Sequence, residues 1–190
     1  MKKIMNEITT RIRDLFDQRG DSEYGGEVVT QLEHGLQFAA LAEQAGSDAA
    51  LIAAALVHDI GHLLHDLPDD APDQGVDDVH EAKGCAFLKK YFPASVYEPV
   101  RMHVAAKRYL CTVDASYYDQ LSPPSITSLE LQGGTMSDDE LEKFRSSPHW
   151  EAALDLRKWD DTAKVEGLET PNLEHFLGYV DQVVLTAEPS

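Results

Sequence analysis

The segment AALVHDIGHLLHD, residues 54–66, concentrates three histidines and two aspartates in thirteen positions. His58 and His62 are four residues apart, so on a helix they lie on one face. Asp59 follows His58 directly, and its carboxylate can ligate the same metal ion or bridge to a second one. Zinc proteases also space two histidines in this way, but they carry a glutamate, the general base, where this chain has Asp59. The segment therefore indicates a metal site of a different kind.

Histidines and aspartates elsewhere in the chain could complete such a site. His34 lies in LEHGL, His80 in DVHEAKG and His103 in VRMHVAAKRYL, while Asp160 and Asp161 lie in RKWDDTAK. Side chains on successive helices of a bundle can converge on metals in its core. A single histidine of this kind more often has a structural role than a metal-binding one, but the joint occurrence of all of them favours a shared metal site. Mixed nitrogen and oxygen ligands suit iron, manganese or zinc better than magnesium or calcium.

The elements that must position these residues are predicted to be helices. Apolar residues recur at helical spacing, and runs of alternating Val, Ile and Thr are scarce. Capping boxes are predicted at Thr30 and Ser137, and Pro148 and Pro171 are expected at the first position of their helices. We therefore predict an all-α fold. About eight helices are predicted: one begins at the Ser137 cap before LEKFR, and the others span 3–19, 30–46, 47–64, 78–92, 95–108, 148–163 and 171–186. A long irregular segment is predicted at 109–136.

Composition restricts the partners and the setting. The length suits one core, and we expect residues 1–190 to form a single domain. The net charge of −18 makes nucleic acid and anionic lipid poor partners. The longest apolar run, residues 50–57, is too short to cross a bilayer, and the N-terminal residues indicate an amphipathic helix instead of a signal peptide. Cys85 and Cys111 lack the spacing of a disulfide or redox motif, so we expect a cytoplasmic protein.

The order of the candidate ligands resembles that of the HD-domain superfamily of metal-dependent helical proteins. Its pattern is a histidine, then a His–Asp pair, then a late aspartate, and two additional histidines mark its two-metal members. The implied fold is an HD-domain helical bundle. The residues of this chain that match are His34, His58, Asp59, His80, His103 and Asp160.

Longer segments are similar to the phosphonate-degrading oxygenases of this superfamily. They are YGGEVVTQLEHGLQFAALAE (24–43), SLELQGGTMS (128–137) and LRKWDDTAK (156–164), and the resemblance extends over nearly the whole chain. It implies a mixed-valent Fe(II)/Fe(III) pair bridged by Asp59, with O2 as co-substrate. It further implies oxidative cleavage of the C–P bond of a 1-hydroxyphosphonate. The expected reaction converts (R)-2-amino-1-hydroxyethylphosphonate to glycine and phosphate.

The late aspartate has two candidates. Inositol oxygenase, which belongs to the same di-iron branch, has an aromatic residue before its ligating aspartate and a lysine four residues after it. Trp159, Asp160 and Lys164 fit that frame, so we choose Asp160. Asp161 is then expected to pair with Arg157, although the reverse assignment stays open.

The substrate contacts follow from spacing and from the same resemblance. Lys107 lies one helical turn after His103 and can face the same site. Tyr24 is expected to close over the site or to occupy an open iron position. Tyr24 and Asp59 are the expected catalytic residues. The ammonium group of the substrate requires a carboxylate, and the phosphonate requires cations and hydroxyl groups. The expected contacts are Tyr24, Glu27, His62, Lys107, Ser125 and Arg157, with Thr127 as a further hydroxyl group.

Two other functions stay open. Most HD proteins are phosphohydrolases, so hydrolysis of a nucleotide or phosphomonoester is the main alternative, and it would release phosphate without consuming O2. The second is a non-catalytic module for ligand sensing or interaction, against which the complete set of expected ligands argues. For the favoured function, the expected partner is a small phosphonate, with neither nucleic acid nor membrane, and we expect a monomer.

Overall fold

The computed structural model describes residues 5–24, 27–64 and 79–185. Within these ranges the chain is helical, apart from one isolated antiparallel bridge between Glu23 and Thr30. The predicted all-α fold is confirmed. None of the helices in these ranges is both long and apolar enough to cross a bilayer. The helices are α1 (Glu7–Arg19), α2 (Gln31–Gln44), α3 (Ala49–Val57), α4 (Ile60–Leu63), α5 (His80–Leu88), α6 (Ala94–Val113), α7 (Ala115–Tyr118), α8 (Pro123–Leu131), α9 (Asp138–Arg145), α10 (Trp150–Thr162) and α11 (Leu173–Val183).

The main core forms around α3, whose sequence AALIAAALV contains only apolar residues. This helix packs against α2, α6 and α11, and its small alanine side chains let the neighbouring backbones approach closely. A β-carbon on Gly35 of α2 would lie 3.2 Å from the carbonyl oxygen of Leu56 in α3. The helix α10 packs against both α6 and α2. The segments that carry His34, His58 and His103 are therefore direct neighbours.

The helix predicted over 47–64 is interrupted at the His–Asp pair. The helix α3 ends at Val57, and Asp59 has φ −103° and ψ 15°, which is not helical, before α4 begins. Adjacent side chains on a continuous helix diverge by about 100°. The break therefore lets two consecutive side chains face one site. His65 and Asp66, which we expected to face solvent, lie outside the described residues.

The segment 109–136, predicted to be irregular, is largely helical, so that prediction was wrong. The helix α6 continues to Val113, and α7 and α8 follow after short turns. Both short helices are started by local caps: Asp114 accepts from the backbone N–H of Ser116, and Ser122 accepts from that of Ser125. The sequence pattern missed them because α7 is a single turn, and α8 begins with two prolines and mixes serine and threonine with its few apolar residues, so neither displays a clear apolar stripe.

The helix starts were predicted with mixed success. The capping boxes at Thr30 and Ser137 both form, with reciprocal hydrogen bonds to the glutamate three residues later. Pro148 and Pro171 do not occupy the first helical position, because each lies one residue before the N-cap of its helix. Both helices therefore begin two residues later than expected.

Candidate metal centre

Four buried imidazoles meet where α2, α3, α5 and α6 come together. His34 projects from α2, His58 follows the last turn of α3, His80 begins α5 and His103 lies within α6. The Nε2 atoms of His34 and His58 are 3.1 Å apart, and those of His80 and His103 are 3.2 Å apart. The structure therefore arranges the four predicted histidines as two close pairs.

The outer ring nitrogens show which atoms are free to bind a cation. The Nδ1 atoms of His34, His58 and His103 each lie 2.6 to 2.8 Å from a backbone carbonyl oxygen. Because a carbonyl oxygen only accepts, each neutral ring has its proton on Nδ1 and a lone pair on Nε2. When both rings of the His34–His58 pair are neutral, two lone pairs face each other, and either a proton on one Nε2 or a metal ion between the two nitrogens removes this repulsion. A metal bound to both nitrogens at normal lengths would separate them by roughly 3.0–3.4 Å, so the pair fits a metal.

Asp59 lies between the two imidazole pairs. Its Oδ2 is 3.2 Å from Nε2 of His58, whereas its Oδ1 is 3.3 Å from Nε2 of His80 and 3.4 Å from Nε2 of His103. Although Oδ1 is buried, it accepts no hydrogen bond from any described residue. Burial raises the pKa of Asp59, but the neighbouring imidazoles outweigh this effect and hold the pKa well below its usual range. A buried, ionised carboxylate with one oxygen toward each pair has the geometry of a metal bridge.

Asp160 of α10 completes the first pair. Its Oδ1 lies 3.3 Å from Nε2 of His34 and accepts a 3.0 Å hydrogen bond from the hydroxyl of Tyr24. The Tyr24 ring also stacks on His34 with 3.8 Å between ring centroids. Burial, reinforced by the charge of Asp160, raises the pKa of Tyr24 well above its usual value, so the phenol stays protonated and donates. Asp160, and not Asp161, is therefore the late aspartate that faces the imidazoles.

Two candidate metal positions result, which we call the first and the second metal position. Around the first, the donor atoms are Nε2 of His34 and His58, Oδ2 of Asp59 and Oδ1 of Asp160. Around the second, they are Oδ1 of Asp59 and Nε2 of His80 and His103.

His62, expected to contact substrate, also reaches the second metal position. A nitrogen of His62 lies within 4.8 Å of donor atoms of Asp59 and His80, and the His62 ring stacks on that of His80 with 4.1 Å between centroids. This side chain is therefore close enough to act as a ligand or as a contact to a molecule bound there.

The backbone around His80 is held by two unusual features. A β-carbon on Gly61 would overlap the carbonyl group of His80, so only glycine permits this approach of α4 to α5. Val79 has a φ of 48°, a left-handed conformation that is rare for a β-branched residue. Backbone strain of this kind persists only where the surrounding structure holds it, and it clusters at functional sites.

Three of the predicted substrate contacts, Glu27, Lys107 and Ser125, form a polar cluster beside the first metal position together with two further side chains. Lys107 is buried and donates a 2.7 Å hydrogen bond to Oγ of Ser128. Lys164 donates to Oε1 of Glu27 at 2.7 Å and to Oγ of Ser125 at 3.3 Å. Burial, followed by the nearby Arg157, lowers the pKa of Lys107 to about 7. The cluster therefore offers lysine N–H groups and serine hydroxyls to an anion.

Sequence reasoning missed two members of this cluster. Lys164 was used only to choose between the two late aspartates, although its place one turn after Asp160 could have identified it as a site residue. Ser128 lies one turn after Ser125, and it supplies the hydroxyl that was expected from Thr127. The hydroxyl of Thr127 donates instead to a carbonyl oxygen of its own helix.

Arg157 is surrounded by acceptors of the protein itself. Its Nε donates a 2.7 Å hydrogen bond to the hydroxyl of Tyr117, and its Nη1 donates a 2.5 Å hydrogen bond to Oδ2 of Asp160. Its Nη2 donates to Oδ1 of Asp161, as the expected pairing of those residues requires. Only 5 % of the Arg157 side chain is exposed. The guanidinium therefore binds Oδ2 of Asp160, on the side of the carboxylate that faces away from His34, and holds this carboxylate in place.

The chain is similar to known HD-domain proteins and phosphonate dioxygenases. The model of the HD domain matches residues 32–126, a range that includes the four histidines and Asp59. Over 177 residues, 93 % of this chain and 90 % of the other, the chain is 42 % identical to the [1-hydroxy-2-(trimethylamino)ethyl]phosphonate dioxygenase (glycine-betaine-forming) of Leisingera caerulea. It is 44 % identical to the hydroxymethylphosphonate dioxygenase of Gimesia maris over 177 residues, 93 % of this chain and 88 % of that one.

Proposed function

This chain belongs to the HD-domain oxygenase family, and from that premise we propose that it is a di-iron enzyme that uses O2 to cleave the C–P bond of a 1-hydroxyphosphonate. The observation that carries the proposal is the Asp59 carboxylate, with one oxygen toward each imidazole pair. The ligands we assign are His34, His58, Asp59, His80, His103 and Asp160. When bound, the mixed-valent iron pair would supply the activation of O2 and the oxidation of the carbon that carries the hydroxyl.

The polar cluster supports a phosphonate as substrate. Lys107, Lys164 and the hydroxyls of Ser125 and Ser128 would hold the phosphonate oxygens through charge-assisted hydrogen bonds. The N-terminus of α8 begins with two prolines, which have no N–H to donate, so side chains must provide most of the binding. Tyr24, hydrogen-bonded to Asp160 and stacked on His34, would cover the substrate side of the first metal position.

The ion pair between Glu27 and Lys164 supports 2-amino-1-hydroxyethylphosphonate as the specific substrate, with glycine and phosphate as products. Oε1 of Glu27 accepts from the Lys164 ammonium at 2.7 Å and from the hydroxyl of Ser122 at 2.6 Å. The carboxylate is thus already placed to accept from a primary ammonium. The trimethylammonium and hydroxymethyl groups in the names of the relatives have no N–H to donate, so they would gain less from this carboxylate.

We further propose that residues 1–190 form one domain and that it functions in the cytoplasm as a monomer that degrades phosphonates. The main core supports a single domain, because it is continuous from Ile8 in α1 to Val180 in α11. Both cysteines are unpaired, as expected of a reducing compartment.

The decisive experiment compares aerobic and anaerobic turnover of iron-loaded protein. The candidate substrates are 2-amino-1-hydroxyethylphosphonate, its trimethylammonium analogue and hydroxymethylphosphonate. We expect phosphate release coupled to O2 consumption, with the highest kcat/KM for the primary amine and glycine as its second product. Electron paramagnetic resonance should show a coupled mixed-valent signal that changes on adding substrate. Phosphate release from a nucleotide or phosphomonoester without O2 would instead establish the phosphohydrolase.

A further inference from the structure

Tyr117 connects the short helix α7 to the base of the metal centre. Its hydroxyl accepts a 2.7 Å hydrogen bond from Nε of Arg157 and donates a 2.5 Å hydrogen bond to Oδ2 of Asp161. Its half-buried ring packs beside a small apolar cluster that includes Leu121 and Leu129. The phenol therefore joins a cation and an anion that lie one helical turn apart on α10.

The network passes from Tyr117 to a single oxygen of Asp160. Arg157 donates through Nη1 to Oδ2 of Asp160 and through Nη2 to Asp161, while Tyr117 engages the remaining side of the guanidinium. With Oδ2 held from behind, Oδ1 is left facing Nε2 of His34 at 3.3 Å. The orientation of this carboxylate thus depends on where the guanidinium is held.

We propose that Tyr117 is a positioning residue that fixes the Asp160 carboxylate toward the first metal position by holding Arg157. The inference rests on the proposed function in one respect, because it requires that this position binds a metal. Removing the hydroxyl would leave Nε of the buried Arg157 without its acceptor and Asp161 without one of its donors. A buried charged group that loses a partner is strongly penalised, so the guanidinium would shift and Asp160 would follow.

The test compares Tyr117→Phe with Tyr118→Phe. Both substitutions remove one phenolic oxygen from neighbouring residues of α7, but Tyr118 is 40 % exposed and its hydroxyl forms no hydrogen bond with a described residue. Each iron-loaded protein is challenged with a chelator, and the metal content per chain is followed over time. We expect Tyr117→Phe to lose one of its two metal equivalents about 10-fold faster than the wild type, the usual scale for a residue that orients a ligand. Tyr118→Phe should behave as the wild type.

A second variant separates positioning from general destabilisation. Asp161→Asn removes the charged partner of both Tyr117 and Arg157, and we expect the same selective loss of one metal. Both Tyr117→Phe and Asp161→Asn should also change the mixed-valent resonance, and because each removes a partner of a buried charge, a moderate decrease in Tm is expected in both. Unchanged retention in Tyr117→Phe, or equal loss of both metals, would overturn the proposal. A wild type that binds two irons but does not consume O2 with any phosphonate would instead count against the proposed function alone.

Discussion

Glu27 is the residue on which substrate choice is expected to depend. Its carboxylate is bound by a lysine ammonium and a serine hydroxyl, so its acceptor atom already lies among donors. A substrate ammonium can take the place of the lysine donor and release Lys164 toward the phosphonate. A substrate without an N–H group gains no charge-assisted hydrogen bond from this carboxylate, and the uncharged hydroxymethyl group gains no charge attraction either.

Glu27→Gln should therefore discriminate between substrates. We expect kcat/KM for 2-amino-1-hydroxyethylphosphonate to fall by about 10- to 100-fold, because a charge-assisted hydrogen bond is replaced by a neutral one. Hydroxymethylphosphonate should be turned over at nearly the wild-type rate. Steady-state kinetics with both substrates checks this, and Glu23→Gln, at an exposed position nearby, is the matched control. An equal loss for both substrates would show that Glu27 does not recognise the ammonium.

Lys107 should give the activity a dependence on pH near neutrality. The pKa of Lys107 is lowered to about 7, so the side chain is cationic below this pH and becomes neutral above it. Phosphonate binding requires the cation, and kcat/KM should therefore decrease as pH rises through this value.

A pH profile of kcat/KM for the wild type and for Lys107→Arg checks the expectation. Arginine stays charged throughout the range, so the decrease should disappear in the variant even if its activity is lower. A decrease of the same position and size in both proteins would assign the titration to another group.

At the scale of secondary structure, the interruption between α3 and α4 and the contact of α4 with α5 decide where the ligands point. The break frees Asp59 from the direction that a continuous helix would impose. The missing side chain of Gly61 lets the first turn of α5 approach, and this places His80 opposite Asp59. Both helices also contribute to the main core, α4 through Ile60 and Leu63 and α5 through Phe87 and Leu88, so the second metal position is aligned by well-packed elements.

Gly61→Ala should disturb this alignment. A β-carbon there overlaps the His80 carbonyl group, so we expect a loss of about 1–3 kcal/mol in the free energy of unfolding, together with weaker metal retention. Denaturant unfolding and metal analysis measure the two effects. Gly178→Ala in α11 is the control, because its β-carbon meets nothing within 4 Å and should be neutral or slightly stabilising. Wild-type stability in Gly61→Ala would show that α4 and α5 can separate without cost.

At the scale of the whole molecule, the charge opposes the proposed substrate. The chain has a net charge of −18, whereas a phosphonate is anionic. Arg157 and Lys164 are paired with carboxylates, so a local region of positive charge within this negative field would come from Lys107 and from the proposed metal ions. The long-range field acts on the approach of the substrate, and the local cations act once it is close.

A higher ionic strength should therefore increase the rate at which the enzyme captures its substrate. Raising sodium chloride from about 20 to 150 mM shortens the Debye length and screens the repulsion, so kcat/KM should increase, while kcat changes little. Sodium chloride titrations of the initial rate at saturating and limiting phosphonate check this. A monotonic decrease in kcat/KM would mean that the local cations dominate the encounter.

The sequence by itself determined the helical class and the types and order of the candidate ligands. Both depend on local pattern: apolar spacing for the helices, and for the ligands a His–Asp pair accompanied by histidines in other helices. The capping boxes at Thr30 and Ser137 were also predictable, because a cap forms among residues close in the chain. The helices within 109–136 were not predictable, since α7 is a single turn and α8 begins with two prolines and has no clear apolar stripe.

Only the tertiary structure decided how these residues meet. The choice of Asp160 over Asp161 depends on which carboxylate α10 turns toward His34 when it packs against α2, a direction that sequence neighbours one residue apart cannot reveal. The contacts of Arg157 with Tyr117, and of Lys164 with Glu27, join residues that are distant in the chain. Local sequence pattern specifies which side chains a helix presents. The packing of helices around α3 sets the distances between those side chains, and those distances decide the chemistry of the site.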